Sequence, residues 1–178
     1  MGIVDKLQQE FDLGVEWLGF EIHPETPQEG MPLLTLFPRA DPEAMARRLN
    51  GMGSPFGIAF RKIVTISNSR LAIEAGEFAK EQGRFDRFHH AVFEAYFSQG
   101  KDIGSIDVLT QIAASAGLDT RDLGDALRNG AYRRALETVK EDASRLGITA
   151  APTFLLGDRE RIVGAQQIAV FRERLKAW

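Results

Sequence analysis

The sequence predicts a helix-rich α/β protein. Apolar residues recur at helical spacing through most of the chain, and the period turns strand-like near both ends. The composition allows it: 178 residues, 44% hydrophobic and 26% charged, suit one domain or a small core with an inserted subdomain. That much apolar material builds a core without staples.

Ile3, Val4, Leu7 and Phe11 share a helical stripe, so residues 2–11 read as an amphipathic helix that Gly14 breaks. Residues 15–22 follow as a strand. Val15 and Trp17 face one way and Leu18, Phe20 and Ile22 the other, which implies cover on both faces, as in an α/β sheet. Residues 23–40 hold four of the seven prolines and read as a long loop. Asp41 then caps a helix that opens on Pro42 and runs to about Leu49. Gly51, Gly53 and Gly57 follow no strand and lack phosphate-loop spacing, so they read as plain loop.

From Ser67 onward helices dominate. One stripe carries Leu71, Ala75, Phe78, Ala79 and Gln82 and closes at Gly83; the next carries Phe85, Phe88, Val92, Phe93 and Tyr96. Ser105 caps a third helix with Val108, Ile112 and Ala116 inward and Gly117 as stop. Asp119 or Thr120 starts a fourth, ended by Asn129-Gly130, and a fifth spans 131–146 up to Gly147. The period then changes. Residues 152–156 and 161–164 read as a hairpin turning at Gly157-Asp158, and residues 166–177 as a last helix with Ile168, Phe171 and Leu175 on one face.

Several chemistries are excluded or disfavoured. With no cysteine there is no disulfide, no thiolate nucleophile and no thiolate metal site. The three histidines, His23, His89 and His90, are too few for a His-rich metal cluster. Net charge is −3 with both signs mixed, so neither nucleic acid nor an anionic membrane is an expected partner. No apolar run approaches a membrane span and no secretory signal is visible, so the expected location is cytoplasmic.

Individual polar residues read blandly. His89 lies on the apolar stripe as a satisfied histidine at the core edge, and His90 falls off it into solvent. His23 opens the proline-rich loop with no identifiable partner for base catalysis. Glu74, Glu77, Glu81 and Glu94 read as helix surface, Trp17 as core, and Trp178 as a terminal side chain.

The order helix–strand, helical block, strand–strand–helix matches a thioredoxin fold with a helical insertion. Residues 146–154 (Leu-Gly-Ile-Thr-Ala-Ala-Pro-Thr-Phe), followed by Ile-Val-Gly-Ala-Gln at 162–166, strongly resemble the DsbA family. The blocks Phe20–Gly30, Ala79–Phe97 and Gly100–Gly104 look like its FrnE-like branch. The resemblance runs from Gly2 to Trp178. It implies a thioredoxin-like core at 1–40 and 147–178, an all-helical insertion at 41–146, and a sheet whose first strand is missing here. In the family that strand leads into Cys-x-x-Cys at the start of the first helix, where backbone N–H groups and the helix dipole stabilise a thiolate. This sequence keeps the helix without the thiols, so the expectation is a family member that is redox-inactive as written, either a fragment or a chain begun downstream of the true start.

The resemblance also implies a cis bond before Pro152, although a proline opening a strand reads by itself as an ordinary trans one. It carries over Ala151, Pro152 and Thr153 as substrate-binding residues for an extended peptide or thiol substrate. No catalytic residue, metal or cofactor is implied. Two alternatives remain open: a relative of the kappa-class glutathione transferases and 2-hydroxychromene-2-carboxylate isomerases, which use Ser rather than Cys near the helix start, and a non-catalytic peptide-binding module working by strand addition. The missing strand would leave two unpaired edges, at 15–22 and 153–156. A homodimer covering those edges is the expected compensation.

Overall fold

The fold is seen in a computed structural model that describes residues 2–157 and 160–177. The readings of Asp158 in the hairpin turn and of Trp178 lie outside the described residues. The chain runs α1 (Gly2–Glu10), β1 (Met31–Pro32), α2 (Leu33–Leu36), α3 (Pro42–Gly53), β2 (Thr65–Ile66), α4 (Arg70–Glu81), α5 (Phe85–Phe93), α6 (Ile106–Ala116), α7 (Thr120–Asn129), α8 (Arg133–Arg145), β3 (Thr153–Leu156), β4 (Glu160–Val163) and α9 (Ile168–Lys176). A 3₁₀ turn extends α3 at Ser54–Phe56, and a π turn extends α5 at Glu94–Ser98.

The helices start and stop where their chemistry dictates. Asp41 accepts from the N–H groups of Glu43 and Ala44, and Asp119 from those of Arg121 and Asp122. These caps satisfy donors that no helical carbonyl can reach. Gly117 and Gly130 close α6 and α7 in the left-handed conformation, at φ 78° and 63°, which glycine adopts without steric penalty.

Two apolar clusters result. The larger joins α4, α5, α6 and α7 around Ala75, Phe88, Leu109, Ala113 and Leu123. The smaller packs Leu7 of α1, Ile162 of β4 and Phe171 of α9, with Ile3, Phe154 and Leu156 alongside. β3 and β4 pair antiparallel, Thr153 opposite Val163 through Leu156 opposite Glu160.

Three expectations are corrected. Residues 15–22 do not form a strand. A strand needs a neighbour to take its backbone groups, and none of the described strands lies beside them; the segment instead crosses the helical block, held by side chains. Lys80 Nζ donates to the Trp17 carbonyl at 2.6 Å, Arg70 pairs with Glu21 at 3.3 Å, and Gly19 lies directly on Ile73. The 23–40 loop is not irregular throughout. It contains α2 and β1, and β1 pairs with β2 across Met31–Ile66 and Pro32–Thr65; a two-residue strand holding a proline leaves no alternation to read. Finally, Glu74 is not on the surface: it is 1% exposed, at the centre of α4.

Candidate functional site

The loop from Gly147 to Thr153 joins the end of α8 to β3. Gly147, at φ 62°, turns the chain out of the helix. The Arg161 guanidinium of β4 donates to the carbonyls of Leu146 and Gly147, fixing the helix end against the hairpin. Thr153 Oγ1 donates to the Ala150 carbonyl at 2.6 Å, which closes the loop on itself. The Ala151–Pro152 peptide bond is cis. Ala151 and Pro152 are exposed and Thr153 is half-buried. The three residues therefore form one open shoulder at the start of β3.

The ladder decides what that shoulder offers. The Pro152 carbonyl accepts from Gly164 N–H at 2.8 Å. Hydrogen-bonded and non-bonded pairs alternate along an antiparallel ladder, so Phe154 and Leu156 bond to β4. Thr153 and Leu155 then aim their N–H and C=O groups away from it. These groups have no backbone partner among the described residues. Leu155 and Val163 stand exposed on one face of the hairpin, at 43% and 48%. Phe154 faces inward onto Phe171, with ring centroids 4.8 Å apart. The site is thus a free strand edge that begins at an open proline loop, with an apolar side chain standing beside it.

The histidines occupy three environments. His89 is half-buried in a cage of Trp17, Phe85 and Phe93, with ring centroids 4.6, 4.9 and 4.7 Å away. Burial favours the neutral ring, so its pKa falls to about 4. That is a histidine at a core edge, and Trp17 is its half-buried partner. His90 is exposed, 3.3 Å from Asp5 of α1. His23 does find a partner, Glu25 at 3.1 Å, and stacks edge-on to Phe37. Among the described residues none of the three makes a hydrogen bond or a ring contact to Ala151, Pro152 or Thr153. Among the described residues no group of three His, Asp or Glu side chains could hold a metal ion, and no helix is long and apolar enough to cross a membrane.

Sequence reasoning missed Glu74. Its position between Ile73 and Ala75 on an alanine-rich helix was the available signal. Burial pushes its carboxyl above the ordinary glutamate value, against the pull of Arg133 and Arg70. One of its oxygens, Oε2, has no hydrogen-bond partner.

Comparison with known proteins agrees with this architecture. The chain is 33% identical over 173 residues to the uncharacterized protein YwbO of Bacillus subtilis (strain 168), spanning 92% of this chain and 82% of that protein. Its fold superposes on the crystal structure of a probable DsbA oxidoreductase, SCO1869 from Streptomyces coelicolor, with a TM-score of 0.89 at 23% identity, over 99% of this chain and 81% of that one. The signature of the DSBA-like thioredoxin domain matches residues 3–176. The chain belongs to the DSBA-like thioredoxin domain family.

Proposed function

We propose that the chain is a FrnE-like member of this family that binds extended apolar polypeptide at Ala151, Pro152 and Thr153 and itself carries out no thiol–disulfide exchange. The observation that carries the reading is the free edge of β3 beside the open loop. An extended segment adds there as a third strand, taking the Thr153 and Leu155 backbone groups. On the exposed face its side chains meet Leu155. Main-chain hydrogen bonds of this kind depend little on sequence, so the preference is for extended, β-branched and aromatic segments. Exchange needs a thiolate that attacks a disulfide sulfur, and the sequence contains no cysteine.

Two measurements test the two halves. An extended apolar peptide should perturb the backbone amide signals of Thr153 and Leu155 in NMR titration. Leu155→Pro should abolish binding, because it removes one edge donor and leaves the β3–β4 ladder intact; unchanged binding by a folded Leu155→Pro protein sinks strand addition. The purified chain should also leave insulin disulfides at the buffer rate of reduction. Faster turnover, with contaminating enzymes excluded, refutes redox inactivity.

A further inference from the structure

Burial does little to hold the loop that carries Ala151 and Pro152. Gly147, Thr149, Ala151 and Pro152 are exposed, and only Ile148 and Ala150 are half-buried. Its backbone has few partners too. The N–H groups of Gly147 and Ile148 close the end of α8 on the Ser144 and Ala143 carbonyls, at 3.0 and 2.8 Å. Those of Thr149, Ala150 and Ala151 have no backbone partner among the described residues. Beyond them, Gly164 N–H donates to the Pro152 carbonyl and the Thr153 hydroxyl to the Ala150 carbonyl.

One further side chain ties the start of this loop to the hairpin. Arg161 stands opposite Leu155 across the β3–β4 ladder, and directly opposed residues of an antiparallel pair share a face. Because Phe154 and Leu156 bond to β4, the Leu155–Arg161 pair is a non-hydrogen-bonded one, in which side chains stand closest. From there the guanidinium reaches the end of α8. Nη1 donates to the Gly147 carbonyl at 3.3 Å, and Nη2 donates to the Leu146 carbonyl. No helical N–H reaches carbonyls at such an end, the helix dipole favours a cation there, and the planar fork meets two successive carbonyls with its donors already arranged. Arg161 therefore connects the strand position whose backbone faces the free edge to the residues where the loop begins.

We propose that Arg161 is the positioning residue of the peptide site: it holds residues 147–152 in register with the edge groups of Thr153 and Leu155, and so sets affinity without touching the peptide. The proposal rests on the reading of the β3 edge as a site of strand addition. An arriving strand has to meet the loop and the edge groups together. With the clasp in place they stand prearranged. Without it the free loop samples several positions, only a fraction of them accept the strand, and affinity falls by that fraction.

The test compares the parent protein with Arg161→Ala and Arg161→Lys, using a capped peptide of alternating Val and Thr as the probe. Arg161→Ala should bind it roughly tenfold more weakly, the order expected when two hydrogen bonds from a charged donor are lost. The loss should lie in the association rate with dissociation unchanged, because the bound states are alike. In the free variant, backbone amide order parameters from NMR should fall at residues 148–151 and stay level in α4–α7; in the complex they should return to the parent values. Arg161→Lys keeps a cation without the fork and should fall between the two, and it carries the comparison should Arg161→Ala fail to fold. Equal affinity in variant and parent, a loop as rigid as the parent's, or a loss carried by faster dissociation overturns the role of Arg161 and leaves strand addition standing. A parent protein that takes up no peptide overturns strand addition itself, and this proposal with it.

Discussion

His89 and Glu74 sit on neighbouring helices, and burial disfavours the charged form of each, yet they bend stability with pH in opposite directions. His89 has its folded pKa lowered from 6.5 to about 4. Between those values the unfolded chain binds a proton that the folded chain refuses, so stability is full above the unfolded value and is lost as pH falls toward about 4. The bound on this effect is roughly 3 kcal/mol, from about 1.4 kcal/mol per pKa unit, and water at the cluster edge reduces it. Urea unfolding at fixed pH should show this loss in the parent protein and a shallower slope in His89→Phe, which keeps the aromatic packing. Equal slopes in the two proteins would falsify burial of the ring as the cause. Glu74 works the other way. Its folded pKa is raised, so its contribution is full below the unfolded glutamate value and is lost as pH rises through the higher folded one. Neither role could be read from helical spacing. His89 was placed on its apolar stripe, but the cage around it needs Trp17, whose distance in sequence hides the contact. Glu74 looked like surface because a glutamate inside an apolar face is rare enough that periodicity argues against it.

At the scale of elements, what was legible is what local chemistry fixes. The caps are the clearest case. Asp119 satisfies two N–H groups at 2.9 Å each, and Asp119→Ala should destabilise the protein by about 1 kcal/mol, seen as a fall of roughly 2–4 °C in Tm for a chain of this size. Ser105→Ala should lower Tm less, since its hydroxyl reaches Val108 N–H only at 3.5 Å, a length at which a hydrogen bond is weak. If the serine variant lost as much as the aspartate one, cap geometry would not be setting these helix ends. The hairpin and α9 were legible for the same reason: a change of period bounded by turn residues is a local signal. Residues 15–22 were misread because a two-sided apolar alternation describes how a strand would sit in a sheet and says nothing of whether a neighbouring strand exists. The Ala151–Thr153 loop lies between these cases. Its residues alone suggest only a proline opening a strand, and the resemblance to the DsbA family singled it out.

The whole molecule presents an unpaired β3 edge beside an exposed apolar face, and this makes assembly the property to measure. β3 and β4 form a two-stranded sheet, and a hairpin of that size draws its stability from what packs against it. One face has Phe154 and Ile162 in the smaller cluster with Phe171. The other leaves Leu155, Val163 and the nearby Leu146 exposed, at 43%, 48% and 43%. A second copy can meet both needs. Two β3 strands running antiparallel about a two-fold axis exchange the Thr153 and Leu155 backbone bonds and turn two hairpins into one four-stranded sheet. Exposed edges of this kind are templates for such pairing. The same groups serve peptide in the proposed function, so dimerisation and peptide capture compete. Light scattering should therefore give twice the chain mass at high protein concentration, shifting toward the single chain when an extended apolar peptide is added. Leu155→Pro should stay monomeric at every concentration, and Leu155→Lys should weaken the dimer through like charges brought together at the axis. A parent protein that is monomeric at high concentration rules the dimer out. A dimer that survives Leu155→Pro places the contact somewhere other than the β3 edge, and a dimer unmoved by peptide means that the two partners do not share it.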